Sequence, residues 1–427
     1  MREYKESIYN VWETKKGKDY LINTFSRAVI EILPKEKQKI ESILKNKMLI
    51  EGYSKQYLEY KTILIKEGFL IKKERNELKE LEYNYNKAFY SNEDLTLILI
   101  PTMRCNFKCP YCFEDEKGLH WNEEKFSIFK KFSKKNFQFK KNIVIGLYGG
   151  EPLLEWELLN KYFEYVIKLK KDYKFNLIGS ITTNASLLTK EMIQKLTEKY
   201  DFKSFQITID GNKSLHDTLR VTHDDEKTYD IVIRNLKSLI EQNRKLKNKL
   251  NISLRINLLN TELEDISDVF KEFSESDKKY FSIYFRNIYN TKTFNVVNKN
   301  KNNLNTFYSY ALTEKFKITS NFGLDYATCE GDKGENRLHV LPDLSVKKCI
   351  NNATPEANLG VIDEHGILNI NHSKLQDWHK KNPFKSPRCK KCKLLAMCWG
   401  GCPLYYSKYQ KRNCIYEKKI DLLNLFL

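Results

Sequence analysis

No part of this sequence stays apolar for long. Leu95 to Ile100 is among its longest apolar runs, and a run of that length is far too short to cross a bilayer. The amino end, Met-Arg-Glu-Tyr-Lys-Glu-Ser, mixes charges and has no apolar segment, so nothing reads as a secretion signal. A cytoplasmic chain with reduced thiols and no membrane partner is therefore expected. No internal repeat is visible. The net charge is +19, yet lysine is spread along the whole chain beside Asn and Ile. A nucleic-acid groove calls for a focused basic face with interleaved aromatics, and that is missing. Solvated lysines, attraction of an acidic peptide and an RNA partner all remain readings of the charge. Disorder is excluded, because 41% of the residues are hydrophobic and 13% aromatic. A chain of 427 residues implies two or three packed units.

Cysteine is absent from the middle of the chain, with none between Phe113 and Thr328. The ten cysteines fall at Cys105, Cys109 and Cys112, then at Cys329, Cys349, Cys389, Cys392, Cys398, Cys402 and Cys414. Thiols placed for packing would not leave such a gap. In a reducing compartment, tight groups of them point to metal rather than disulfides.

Residues 1 to 72 read as a small α+β unit, winged-helix-like in its mixture of hairpin and helices. Ser7 to Thr14 and Tyr20 to Ile32 flank a Lys-Lys-Gly-Lys turn, a hairpin signal. Pro34 opens a helix through Leu44, since proline suits a first helical turn. A second helix covers Lys55 to Lys66 and ends at Gly68, before a short strand at Phe69-Leu70-Ile71. Residues 73 to 94 hold a connecting helix. From 95 to 305, six apolar runs alternate with amphipathic stretches. The runs are Leu95 to Ile100, Ile143 to Leu147, Phe175 to Ile181, Ser204 to Ile209, Ile252 to Leu258 and Tyr280 to Phe285. The helical stretches include Trp156 to Leu169, Lys190 to Lys199 and Tyr229 to Glu241. This alternation predicts an α/β fold with parallel strands, as an open sheet or a partial (β/α)6 barrel, and ligands then sit at the strands' C-terminal ends. Residues 291 to 305, rich in Asn and Lys, read as a flexible connection. Residues 306 to 427 read as a cysteine-rich module held by metal.

Cys105, Cys109 and Cys112 follow the first strand with the spacing C-x3-C-x2-C. Three thiolates can hold three irons of a 4Fe–4S cube and leave the fourth open. A zinc knuckle short of its last ligand is the competing reading, and His120 is poorly placed to complete one. This segment, Cys105-Asn-Phe-Lys-Cys109-Pro-Tyr111-Cys112, resembles the hallmark of the radical S-adenosylmethionine (SAM) enzymes. The resemblance implies that SAM chelates the open iron, and that one-electron cleavage yields a 5′-deoxyadenosyl radical which takes hydrogen from a substrate. Gly149-Gly150-Glu151-Pro152 is similar to that family's motif for the SAM amino group, and its glycines allow close backbone approach. Thr183-Asn184 resembles the pair near the ribose. Thr208, Asp210, Gly211, His216, Asp217 and Arg220 resemble a Ser-x-Asp-Gly…His-Asp…Arg segment, with Thr208 in place of serine. By that resemblance Arg220 pairs with the SAM carboxylate and Tyr111 packs beside adenine. A plain ion pair and a core aromatic are the alternatives for those two residues.

Cys389-x2-Cys392-x5-Cys398-x3-Cys402, followed by Cys414, resembles the SPASM module of peptide-modifying radical SAM enzymes. The resemblance implies three 4Fe–4S clusters in all. Cys389, Cys392, Cys398 and Cys414 would close one auxiliary cluster. Cys329, Cys349 and Cys402 would hold the other, with one iron open or bound by another ligand. Structural zinc is the competing reading. Leu344 stands where the family has glycine, a departure that weakens the turn. Ile350 stands where sulfatase-maturing enzymes carry a catalytic aspartate, which argues against that activity.

With every cysteine committed to iron, no thiol is left to donate hydrogen. The implied function is therefore a peptide maturase that closes a thioether to a substrate cysteine, with an open auxiliary iron holding the sulfur and taking the remaining electron. The leader of a ribosomally made precursor would dock on residues 1 to 72, and flavodoxin or ferredoxin would supply electrons. Carbon–carbon cross-linking, side-chain maturation, RNA modification and a plain iron–sulfur electron carrier are the alternatives. No residue stands out as a catalytic base.

Overall fold

The computed structural model describes residues 3–45, 54–112, 118–288, 304–319, 336–351, 357–412 and 414. They group into two compact units. One draws on Met1–Tyr90 and Gln376–Leu427, the other on Ser91–Thr319 and Glu335–Leu375. Among the described residues no helix is long and apolar enough to cross a membrane. The connection expected at 291 to 305 lies outside the described residues except for its last two.

In the first unit, Tyr4–Glu6 (β1) pairs antiparallel with Leu70–Lys72 (β5), and a separate sheet joins Asn10–Lys15 (β2), Lys18–Asn23 (β3) and Val29–Ile32 (β4). Lys16 and Gly17 form the β2–β3 turn with φ of 50° and 74°. Two left-handed residues are what a tight two-residue hairpin requires. Pro34–Leu44 (α1) and Lys55–Lys66 (α2) cover this sheet through Ile40, Ile43 and Leu64, which bury against Leu21 and Phe69. The Ser54 hydroxyl accepts from the Tyr57 amide at 3.2 Å and so caps α2. Glu77–Tyr90 (α3) is anchored by the buried Glu77, which accepts from the Ser7 hydroxyl and the Ile8 amide.

The second unit is an α/β layer. Asp94–Leu99 (β6), Asn142–Leu147 (β7), Asn176–Thr183 (β8), Phe202–Ile209 (β9), Asn251–Leu258 (β10) and Ser282–Asn287 (β11) are all parallel and neighbour one another in chain order. Helices fill the intervals: Glu123–Phe137 (α4), Trp156–Tyr173 (α5), Lys190–Gln194 (α6), Lys213–Leu219 (α7), Tyr229–Lys245 (α8) and Leu263–Lys271 (α9). This is the expected α/β core. After Leu304–Thr313 (α10), Lys317–Ile318 (β12) extends the β11 edge. At the other edge Arg337–Val340 (β13) runs parallel to β6, and Ser345–Lys347 (β14), Gly360–Ile362 (β15) and Leu368–Ile370 (β16) continue antiparallel. Residues 306 to 427, read from sequence as one module, are thus divided between the two units.

Strand side chains alternate between faces. One face, with Leu97, Ile145, Ile207, Ile256 and Ile283, buries against Phe129 of α4, Phe163 of α5, Leu236 of α8 and Val269 of α9. The positions in between are largely polar: Thr182, Gln206, Thr208, Arg255, Asn257 and Arg286. A sheet that is apolar outward and polar inward provides a lined site at its strand ends.

The turn at Leu344 survives the missing glycine. Leu344 takes φ of 66°, its amide donates to the Leu341 carbonyl at 2.9 Å, and its side chain is 1% exposed. Left-handed backbone costs a non-glycine residue about 1–2 kcal/mol. Burying leucine returns a comparable amount, about 1.5–3 kcal/mol.

Candidate active site

The loop 101–112 leaves the C-terminal end of β6 and meets the loop leaving β7. Gly150 donates its amide to the Thr102 carbonyl at 3.1 Å, and Glu151 donates to the Arg104 carbonyl at 2.9 Å. Gly149 has φ of 122°, and a Cβ at Gly150 would lie 2.2 Å from the Arg104 oxygen. The paired glycines therefore serve first to let two backbones touch, immediately before Cys105. Pro152 opens a short turn, Pro152–Glu155, in the position where proline's missing N–H costs nothing.

Glu151 is fully buried and faces inward. It accepts from the Leu153 amide at 3.1 Å, the Thr183 hydroxyl at 2.8 Å and the Asn184 amide at 2.8 Å. It thereby ties the end of β7 to the end of β8. The Asn184 side-chain amide in turn donates to Oδ1 of Asn106 at 2.9 Å and points toward the Cys105 sulfur at 3.9 Å. The Thr183-Asn184 pair is thus joined to the cysteine loop on one side and to Glu151 on the other. Burial pushes the Glu151 carboxyl up to about 7, against the pull of its three donors and of Arg220. The raised value means that the folded state holds a proton which the unfolded chain releases near 4.5. Stability is accordingly fullest below 4.5 and declines as pH rises to about 7, by about 3 kcal/mol at most. Melting the metal-free chain across that range should show this slope, and Glu151→Gln should flatten it.

The end of β9 carries a second network. Asp210 is 1% exposed and accepts from the Tyr111 hydroxyl and, at 3.0 Å, from the Asn257 amide group. Arg220 donates to the same Tyr111 oxygen at 2.9 Å, lies 3.9 Å from Asp210 and sits over the Phe107 ring. Burial raises the Asp210 carboxyl while Arg220 opposes the rise. The Tyr111 hydroxyl is thus committed to a carboxylate and a guanidinium. His216 is buried; its Nδ1 accepts from the Asp210 amide at 3.3 Å and its Nε2 meets the Thr228 hydroxyl at 3.1 Å. Burial holds this imidazole neutral, well below its ordinary value. Asp217 accepts from the Thr228 and Tyr229 amides and caps α8. The His-Asp pair is a scaffold that fixes Asp210 and Arg220 in place. Thr208 is buried on the same strand.

Sequence reasoning missed Asn257 and Asn235. Asn257 holds Asp210 from β10, and Asn235 of α8 donates to the Ala185 and Ser186 carbonyls, fixing the left-handed turn after Thr183. A buried Asn at the end of an apolar strand, such as Asn257 after Ile256, was the available signal.

None of the nine described cysteines is joined in a disulfide. Among the described residues no three His, Cys, Asp or Glu side chains converge as a metal site. The donor chemistry nevertheless fits a cluster on loop 101–112. Cys105, Cys109 and Cys112 share one loop, and the Cys112 amide donates to the Cys109 carbonyl. Burial pushes the Cys105 thiol up to about 12 and raises Cys109, while Arg220 lowers both. Such thiols need a cation to ionise. The Arg220 Nε is also buried without a partner among the described residues, a donor left over for an anion. Cys389, Cys392, Cys398 and Cys414 lie in the first unit, and burial with Cys414 and Cys389 nearby raises the Cys392 thiol. Cys329 lies outside the described residues. Cys349 follows β14, and Cys402 precedes Pro403–Tyr409, the last described helix.

Residues 99–273 match the family model described as Radical SAM superfamily. The chain is 24% identical over 372 residues to the radical SAM cyclopropyl synthase TigE of Paramaledivibacter caminithermalis, covering 78% of this chain and 74% of that protein. It is 21% identical over 341 residues to a cysteine-type anaerobic sulfatase-maturating enzyme of Clostridium novyi, covering 73% and 88%. Among solved structures, Streptococcus suis SuiB superposes with a TM-score of 0.51 at 16% identity, over 95% of this chain and 97% of that one. Native anSMEcpe with bound AdoMet and a peptide gives 0.50 at 21% identity, over 72% and 89%. These two likenesses concern the fold. With the cysteine loop after β6, the buried network at the end of β9 and the family match across both, residues 99–273 are a radical SAM domain and the chain is an enzyme.

Proposed function

We propose that this enzyme matures a ribosomally made precursor peptide and closes a thioether between a substrate carbon and a cysteine of the same peptide. The observation that carries the SAM-dependent part is the buried Arg220 Nε beside the three-thiol loop, without a partner among the described residues. In this reading Cys105, Cys109 and Cys112 hold the SAM cluster, and Arg220 with Thr208 receives the SAM carboxylate. Gly149 to Pro152, Thr183, Asn184, Tyr111 and Asp210 shape the rest of the pocket. Bound SAM and its cluster supply one-electron cleavage and hydrogen abstraction. The chain's own residues bind, orient and exclude water. Cys389, Cys392, Cys398 and Cys414 hold one auxiliary cluster, and Cys329, Cys349 and Cys402 the other.

Three things support a peptide substrate: the maturating enzymes among the relatives, the solved neighbour that binds AdoMet with a peptide, and the amino-terminal sheet. In that sheet β2 and β4 are the outer strands. An outer strand can receive an extended peptide by main-chain pairing, which makes residues 1 to 72 the leader-docking domain. A small electron carrier such as flavodoxin or ferredoxin serves as reductant. The likeness to a cyclopropyl synthase favours a second reading, carbon–carbon closure.

Anaerobic reconstitution should give about twelve irons, four per cube. Reduction with SAM should release 5′-deoxyadenosine, and the peptide product should lack two hydrogens and one alkylatable thiol. Modification of a peptide whose cysteines are replaced would reject the thioether in favour of carbon–carbon closure. Full iron loading without 5′-deoxyadenosine would reject both.

A further inference from the structure

Tyr9 sits just before β2 and is held at its amide, its carbonyl and its ring. Its amide donates to the Ser7 hydroxyl at 3.2 Å, its carbonyl accepts from the Thr24 amide at 3.1 Å, and the ring stacks on Phe25 at 5.6 Å. It is 1% exposed. It belongs to an apolar group that joins Leu81, Tyr85 and Phe89 of α3 to Phe384, Leu395 and Ala396 from the other end of the chain, with Cys389 and Trp399 at its edge. Beside them, Ile22 of β3 packs with Leu394, Met397 and Cys392. The Thr24 hydroxyl donates to the Lys393 carbonyl, between Cys392 and Leu394. The amino-terminal sheet therefore grips the segment that carries three of the four tetrad cysteines.

Two donors in this packing have no acceptor among the described residues, the Tyr9 hydroxyl and the Trp399 indole nitrogen. Trp399 directly follows Cys398 with φ of 47°, and its ring stacks on Tyr85 at 5.9 Å. A buried N–H or O–H without a partner is rare in native proteins and calls for an acceptor. Two of them in one apolar group that also includes Cys389 call for an acceptor at the cysteines. Burial raises the Tyr9 phenol far above its ordinary value, with Glu77 and Cys392 adding to the rise, so it keeps its proton.

We propose that the Tyr9 hydroxyl and the Trp399 indole N–H donate hydrogen bonds to the sulfur atoms of the iron–sulfur cluster held by Cys389, Cys392, Cys398 and Cys414, and set its reduction potential. The proposal rests on reading that tetrad as a cluster site. Donors at the sulfurs favour the more negative, reduced cluster, so each one raises the potential. The amino-terminal domain thereby reaches the redox chemistry directly, and not only through the peptide it docks.

The test is an anaerobic redox titration of the reconstituted full-length protein followed by electron paramagnetic resonance, with iron counted in every sample. The step lost in Cys392→Ser identifies this cluster. Tyr9→Phe and Trp399→Phe should each keep their iron and lower that midpoint. The expected change is about tenfold in the reduction equilibrium, about 59 mV for a one-electron couple. An unmoved midpoint in both variants at full iron overturns the proposal alone. An iron count unchanged by Cys392→Ser overturns the cluster reading as well. If Tyr9→Phe sheds iron, electron–nuclear resonance of the reduced wild-type cluster decides after transfer to deuterated water. An exchangeable deuteron coupled to the cluster upholds the proposal, and its absence overturns it.

Discussion

Gly150→Ala should leave a folded chain whose SAM cleavage is slower by about a hundredfold or more. The added methyl would lie 2.2 Å from the Arg104 oxygen, 2.6 Å from the Arg104 carbonyl carbon and 2.7 Å from the Met103 oxygen. All three are backbone atoms, so no side chain can swing aside. The Thr102 and Arg104 carbonyls are also held by the Gly150 and Glu151 amides. Relief has to come from moving the segment that leads into Cys105. Overpacking of this kind costs about 1–3 kcal/mol, a fall of about 2 °C in melting temperature for a chain this long. The larger loss is in geometry, since a displacement of about 1 Å at a reacting centre costs about a hundredfold. Gly17→Ala is the control. It also has positive φ, but nothing lies within 4 Å of its Cβ position, so it should cost stability slightly and leave 5′-deoxyadenosine formation untouched. A wild-type cleavage rate in Gly150→Ala would show that the two loops are not coupled.

That loop contact marks the boundary of what could be read from the sequence. Leu95 to Ile100 announced a strand because it is nearly continuous in apolar residues, as strands buried under helices are, and Ile252 to Leu258 did so because apolar residues alternate there with Ser253, Arg255 and Asn257. The cysteine spacing singled out loop 101–112 because few uses of thiols other than metal binding produce it. The glycines of Gly149-Gly150-Glu151-Pro152 were read as close approach to a ligand, and close approach is what they provide, but to the backbone at Thr102 and Arg104. Spacing shows that a glycine is needed without showing what approaches it. Glu151 was legible as a polar residue at a strand end, while its inward orientation toward Thr183 and Asn184 depends on how β7 and β8 pair. The strands β13 to β16 were hidden for another reason. Runs of three or four residues such as Arg337–Val340 carry too little periodicity to stand out, and pairing with β6 and β14 gives β13 its place. Tyr9 and Cys389 share one apolar group at opposite ends of the chain. No local pattern encodes that meeting.

Arg220→Leu should be the most damaging single substitution at the end of β9, and a second substitution should separate its two effects. The arginine is buried beside the buried Asp210, with the Tyr111 hydroxyl between them. Removing it strands a carboxylate whose charge burial already disfavours. Breaking one side of a buried pair costs about 3–5 kcal/mol, a fall of about 4 °C in melting temperature at this chain length. SAM affinity should fall by about a hundredfold as well, the consequence of losing a charge-assisted fork to a carboxylate. Adding Asp210→Asn removes the stranded charge and keeps an acceptor for the Tyr111 hydroxyl. The double variant should therefore recover most of the melting temperature while SAM binding, measured by calorimetry, stays weak. Recovery of both would mean that Arg220 serves only to neutralise Asp210, and the anion facing its unpartnered Nε would have to be something other than SAM. Recovery of stability alone would fix Arg220 as the residue that reads the SAM carboxylate, with Asp210, Tyr111 and Asn257 as the frame that aims it.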